Sequence, residues 1–322
     1  MTRCFSFIAI RNHFFRTTFS NSGLKPTTTN LGDGTIIHCW APKSPQQSKP
    51  NLLLIHGFGA NAMWQWSDLV GHMTPHFNVY VPDLLFFGES YTTRPERSDW
   101  FQAQCLIRLM EAHSVKERLS IVGLSYGGFV AYNMAAQLNK EVVDRLVICC
   151  AAVCLETKDI EDGKFKVSDL EAAADILLPQ TPQKLRELVN LTMFKPPKIL
   201  PNCFLNDFIQ AMCTEHCQER RELIRAIPKD RKISEIPKIS QPTLIIWGDQ
   251  DQVFPVEFGH RLKNYQLITN CSHLGESAQL VVMKKAGHGF NVERQKEFYR
   301  HLKTFLIDSS ASKQNNSHSN GG

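Results

Sequence analysis

Between residues 35 and 306 short apolar runs rich in β-branched residues alternate with longer segments whose apolar positions recur three and four residues apart. An apolar run of four to eight residues reads as a strand, and the three-and-four spacing reads as an amphipathic helix. Strands are therefore predicted at 35–40, after the Asp33-Gly34 turn, and at 52–55, 77–81, 119–122, 146–150, 243–247 and 279–283. Helices are predicted at 98–113, 126–139, 256–263 and 292–306. Strands and helices in this succession predict an α/β fold, a mostly parallel twisted sheet flanked by helices.

The rhythm stops between 156 and 239, where no strand-like run occurs and charged, helix-favouring blocks are separated by Pro179, Pro182, Pro196, Pro197, Pro201 and Pro228. Proline ends or opens helices, so four helices are predicted, at 169–178, 184–192, 206–217 and 220–226. They read as an inserted four-helix cap across one end of the sheet. The resulting division is a basic lead at 1–25, a core in two parts at 26–155 and 240–307, the helical cap at 156–239, and a tail at 308–322. That tail (SSASKQNNSHSNGG from Ser309) lacks apolar periodicity and is expected to be disordered.

Composition narrows the partners. With 43% hydrophobic and 21% charged residues in 322, collagen-like, coiled-coil and wholly disordered readings are excluded. The formal charge of +5 comes mostly from Arg3, Arg11, Arg16 and Lys25, in a lead that holds no Asp or Glu. The body is near neutral and lacks a basic stripe with interleaved aromatics, so no nucleic-acid partner is expected. The longest uncharged apolar run, 146–155, falls well short of the ~20 residues needed to span a bilayer. Ten cysteines are scattered, several in apolar runs, without a paired framework; this points to a reducing, intracellular setting, cytoplasmic by default. Cys213, His216 and Cys217 lack the further ligand a structural zinc site needs. The basic, acid-free lead has the composition of a transit peptide, so an organelle is the alternative compartment.

Candidate chemistry sits at strand ends. Gly123-Leu124-Ser125-Tyr126-Gly127 is a GxSxG sequence between an apolar strand and a helix, the placement of a nucleophile elbow, where neighbours without a Cβ let strand and helix approach. A serine hydroxyl needs a base. Of twelve histidines, His288 in Ala286-Gly287-His288-Gly289 stands just beyond the last strand with small neighbours. The base needs an acid to fix its tautomer, and Trp247-Gly248-Asp249-Gln250-Asp251 offers two. Asp249, inside the tight turn, is the better turn cap, which favours Asp251 as the acid. The order Ser125, Asp251, His288 suits this fold. An oxyanion hole calls for free backbone N–H groups, expected at Phe58 in His56-Gly57-Phe58-Gly59 and at Tyr126. His56 is then a buried, hydrogen-bonded support, and Trp64 and Trp66 line the pocket or pack the core.

The motifs HGFG, GLSYGG, WGDQD and AGHG, in this order and spacing over about residues 30–307, resemble the α/β-hydrolase fold family. Residues 60–66 (ANAMWQW) and 83–88 (DLLFFG) resemble little-characterised plant members, and the likeness extends to capped esterases and to hydrolases that cleave carbon-carbon bonds of dienoic ketoacids. The resemblance implies that Asp251 is the acid and His288 the base. A serine at the elbow separates the chain from the related epoxide hydrolases and haloalkane dehalogenases, which carry aspartate there. The expected function is a cofactor-independent serine hydrolase acting on a small or medium apolar ester. Alternatives are a slow-turnover ligand receptor of the same fold and a carbon-carbon bond hydrolase. One departure from the family pattern is an apparent insertion at 265–273, between Asp251 and His288, longer than the ~4 to 6 residues of a median connection.

Overall fold

The computed structural model describes residues 6–166, 169–229, 231–268 and 278–308. Helix α1 (Phe7–Asn21) leads into strands β1 (Leu24–Asn30), β2 (Thr35–Pro42) and β3 (Asn51–Ile55), followed by α2 (Ala62–Met73), β4 (Asn78–Pro82) and the two-residue β5 (Tyr91–Thr92). Then come α3 (Asp99–Ala112), β6 (Leu119–Leu124), α4 (Tyr126–Gln137) and β7 (Val143–Cys149). Helices α5 (Thr157–Glu161), α6 (Leu170–Leu177), α7 (Pro182–Thr192), α8 (Asn202–Met212) and α9 (Cys217–Ala226) interrupt the strands. The chain then returns through β8 (Thr243–Gly248), α10 (Glu257–Ile268), β9 (Ala278–Met283), α11 (Phe290–Glu293) and α12 (Gln295–Lys303).

The strands form one sheet in the order β1-β2-β4-β3-β6-β7-β8-β9, with β5 paired to β2. The pairs from β4 through β9 are parallel, and those made by β2 with β1, β4 and β5 are antiparallel. Helices cover both faces of a parallel sheet, so its strands read as unbroken apolar runs; every residue of β6 and β8 is buried. The chain passes from β3 to β4 on one side and returns to β6 on the other. Strand order therefore reverses between β3 and β6, and the crevice beyond their carboxyl ends is where open α/β sheets bind ligands.

Three differences from the pattern have physical reasons. The first 25 residues hold α1, whose Ser6 N-cap accepts from the Ala9 N–H and whose Ile8, Phe15 and Phe19 are buried. Its exposed face is also partly apolar, which hides the amphipathic signal. Strand β1 is an edge strand with polar exposed positions, and a sheet edge needs no apolar alternation. The predicted 206–217 helix is displaced: α8 starts directly after Pro201 and stops at Met212, and His216, at φ 51°, turns the chain into α9.

Helices α6 to α9 pack together through Leu185, Leu188, Leu205 and Ile209 on one side and Ala174, Leu178 and Ile224 on the other, the latter group touching Phe58. They meet the strand-end loops, since the Gly289 N–H donates to Thr192 O (2.7 Å) and Arg220 Nε to Phe86 O (2.6 Å). Helix α10 runs into the predicted 265–273 insertion, whose remainder lies outside the described residues, as do 309–322 of the tail. Beyond it, β9 pairs with β8 from Thr243↔Ala278 to Gly248↔Met283, which sets the loops after the two strands side by side. Among the described residues no helix is long and apolar enough to cross a membrane.

Candidate active site

Ser125 stands between β6 and α4 at φ 53° and ψ −120°, a backbone conformation strained for a residue with a side chain. Its glycine neighbours make the turn possible. A Cβ on Gly123 would lie 2.2 Å from Gly127 O, and one on Gly127 would lie 2.4 Å from Ile55 O. The Ser125 N–H donates to Cys149 O at 2.8 Å, so β7 fixes the elbow from the other side. The hydroxyl, half-buried, faces His288: Ser125 Oγ and His288 Nε2 are 2.9 Å apart.

His288 Nδ1 lies 2.8 Å from Asp251 Oδ2. The other Asp251 oxygen accepts from the Val253 N–H (2.8 Å) and the Phe254 N–H (2.9 Å), so the carboxylate is held on both sides. With Nδ1–H donated to Asp251, Nε2 is left as an acceptor toward the serine. Burial alone depresses a histidine, but here the Asp251 carboxylate, with a contribution from Cys150, outweighs it and lifts His288 well above 6.5. Asp249 turns away; it accepts from the Ala286 N–H at 3.4 Å and faces Lys284. The tight approach of β8 to the His288 loop also requires Gly248, whose added Cβ would stand 2.3 Å from Ala286 O.

The HGFG loop crosses in front of the serine. A Cβ on Gly57 would lie 2.8 Å from both Leu124 O and Ser125 Cβ, so only glycine lets the loop come this close. The Phe58 N–H finds no acceptor among the described residues, and the Tyr126 N–H, opening α4, has no carbonyl a turn earlier to bond. His56 is fully buried, donating from Nδ1 to Gly57 O (2.8 Å) and accepting at Nε2 from the Leu84 N–H (2.9 Å). Burial pushes its ionisation down, which suits this neutral tautomer. Trp66 is core. Trp64 packs edge-on against Phe15 (5.2 Å) and Phe208 (5.5 Å).

Three contributors escape motif reading. Gln65 clamps the HGFG loop, its Oε1 accepting from the Gly57 N–H (2.8 Å) and its Nε2 donating to the Gly57 and Phe58 carbonyls (3.0 Å each). Arg220 of α9 is buried with no ion pair among the described residues; it donates to Phe86 O and Met212 O (2.6 Å each) and lies 4.5 Å over the Phe87 ring. Phe87 in turn packs edge-on against His56 and Phe58 (5.1 Å each). Cys150 Sγ is 3.9 Å from His288 Nε2 and 3.5 Å from His288 O. Cys150, Asp251 and His288 hold ligand-type atoms within 4.8 Å of one another. Both imidazole nitrogens are engaged, however, and burial raises the thiol to about 11, so an ion would have to break these bonds.

A small apolar cavity of about 80 Å³ opens between the inserted helices and the Val253-Phe254 turn, reaching the site through Phe254, while neither Ser125 nor His288 lines it. Leu155, Ile176, Leu188, Ile224 and Phe254 line it, and the Phe254 ring stands 5.8 Å from the His288 ring.

Comparison with known proteins agrees with this architecture. The chain is 26% identical over 281 residues to bovine (Bos taurus) monoacylglycerol lipase ABHD6, covering 83% of this chain and 78% of that one. It is 27% identical over 296 residues to lipase 3 of Moraxella sp. (strain TA144), covering 89% and 86% respectively. In fold it is similar to the esterase EaEST of Exiguobacterium antarcticum (TM-score 0.70, 20% identity, 88% of this chain and 99% of that one). It is likewise similar to the meta-cleavage product hydrolase CumD of Pseudomonas fluorescens IP01 (TM-score 0.66, 23% identity, 88% and 98%). The model of the alpha/beta hydrolase family matches residues 52–301, most of the chain, and the protein belongs to that family.

Proposed function

We propose that this hydrolase cleaves carboxylic esters with an apolar acyl group of small or medium length, through Ser125, His288 and Asp251. The observation that carries the reading is the unbroken line from Ser125 Oγ to His288 Nε2 (2.9 Å) and from His288 Nδ1 to Asp251 (2.8 Å), on a serine at φ 53°. The lipases among the relatives support the ester bond, and the apolar cavity lined by Phe254, whose ring packs on His288, supports the acyl class.

The steps follow from the geometry. As Ser125 Oγ attacks the ester carbonyl, its proton passes to His288 Nε2, and Asp251 balances the imidazolium. The carbonyl oxygen, now an anion, takes hydrogen bonds from the Phe58 and Tyr126 N–H groups. Collapse expels the alcohol, which receives the proton from His288 and leaves an acyl-serine. A water molecule, deprotonated by the same nitrogen, repeats the sequence on the acyl carbonyl and releases the acid. No cofactor enters either half.

Turnover of p-nitrophenyl esters from acetyl to palmitoyl tests this. The expected result is multiple turnover that peaks at one chain length and is lost in Ser125→Ala. A folded wild type without turnover, or an alanine variant that keeps it, overturns the proposal.

A further inference from the structure

Among the described residues seven large hydrophobic side chains are exposed, and four of them fall on two neighbouring elements. Phe7 (53%), Ile10 (41%) and Phe14 (62%) belong to α1; Ile199 (83%) belongs to the segment between α7 and α8. At 100° per residue the three α1 side chains share an arc of roughly 60°. Ile8, Phe15 and Phe19 form a separate stripe that packs into the protein. Helix α1 thus has two apolar faces, and burial in this chain accounts for one.

One flank of the other face is basic. Arg11 is exposed beside it, its guanidinium lying 5.1 Å over the Phe15 ring. Lys195 and Lys198 are exposed on the stretch that presents Ile199, which Pro196 and Pro197 stiffen. The two patches are tied together through α8, because Ser6 Oγ donates to Asp207 (2.9 Å), the Ile8 N–H donates to the same carboxylate (3.0 Å), and Trp64 packs on Phe208. Protruding aromatic and aliphatic side chains flanked by Arg11, Lys195 and Lys198 match an anionic lipid interface, where acyl chains take the first and headgroups the second. A second copy of the chain fits less well, since a two-fold contact would bring these cations against themselves.

We propose that the exposed face of α1 and the 195–199 segment together form a docking surface for anionic membrane. Docking there sets the inserted helices against lipid, including α7, whose Leu188 lines the apolar cavity. The surface is independent of the chemistry assigned to Ser125, so it stands or falls separately.

The test is sedimentation of the full chain with phosphatidylcholine vesicles and with vesicles that also contain phosphatidylglycerol. Binding is expected to the mixed vesicles, at least tenfold weaker to the neutral ones, and reduced by salt. Phe7→Ser, Ile10→Ser and Phe14→Ser together are expected to lower partitioning by about a hundredfold. Near-ultraviolet circular dichroism checks that the triple variant is folded. Should it fail that check, Lys195→Glu with Lys198→Glu, away from α1, must abolish the preference for anionic vesicles. No binding to either vesicle, equal binding to both, binding unchanged by the substitutions, or a lipid-free dimer that the triple variant dissolves would each overturn the proposal.

Discussion

Replacing Asp251 by Asn tests the site most sharply, because the structure fixes what the new side chain does. Asp251 Oδ1 accepts from the Val253 and Phe254 N–H groups, and only an oxygen can stay there. The amide nitrogen must then face His288 Nδ1. Both would be donors, so the imidazole must take the other tautomer, with its proton on Nε2 and no lone pair for the serine. The backbone bonds survive, so the fold is kept. In a triad of this type the change costs about 10⁴ in kcat, which is about 5.5 kcal/mol at 1.36 kcal/mol per tenfold. The acid limb of the rate profile should move as well. In the wild type the carboxylate holds His288 above 6.5, so activity is lost as pH falls through that raised value. Without it, burial governs and the limb shifts to lower pH. Stability follows the opposite course: a raised histidine contributes fully below its unfolded value of ~6.5 and ceases to contribute as pH rises through the folded value. The stability gap between wild type and variant in urea should therefore narrow at alkaline pH. A folded Asp251→Asn enzyme within tenfold of wild type, or one whose acid limb does not move, would refute the reasoning.

Other predictions probe the supports. Gly127→Ala drives a Cβ against the backbone of Ile55 and His56, and urea unfolding should show a loss of about 1 to 3 kcal/mol or more; wild-type stability would contradict the close approach. Arg220→Met keeps the stem but strips donors from Phe86 O and Met212 O. A loss of about 2 to 4 kcal/mol is expected in urea, with kcat falling more than KM rises because Phe87 loses its cation beside the HGFG loop. Leu188→Trp fills part of the cavity and should shift the preferred p-nitrophenyl ester to a shorter acyl chain, by about fourfold for each methylene excluded; an unchanged profile would place the acyl chain elsewhere.

What the sequence revealed of this site and what it hid divide by the range of the contacts. The elbow around Ser125 is written into five consecutive residues, because strain at one position forces glycine at its neighbours. Asp251 and His288 were legible because each follows its strand by only a few residues, and parallel pairing brings those strand ends together whatever lies between. The sheet itself was legible because buried parallel strands carry unbroken apolar runs. Strand β1 escaped because an edge is allowed polar faces, and α1 because apolar residues on two faces blur its period. Gln65 and Arg220 were silent for another reason. A glutamine inside a helix and an arginine on an amphipathic block are ordinary residues until the fold sets one against the Gly57 and Phe58 backbone and the other against Phe86, 134 residues away.

These long-range supports change what the inserted helices do. Arg220 on α9 stacks on Phe87, and Phe87 packs against Phe58 of the HGFG loop. In the middle of the insertion, between α7 and α8, Glu293 accepts from the Lys195 N–H with one oxygen and from the Gly287 N–H, next to His288, with the other (2.9 Å each), while Thr192 O receives the Gly289 N–H. The insertion therefore holds the loop that carries the expected oxyanion donor and the loop that carries the proposed base, His288. Moving it away to admit a large substrate would release both. Displacing α7 or α9 would break bonds that fix both loops, so movement of the insertion and order at the two loops are linked.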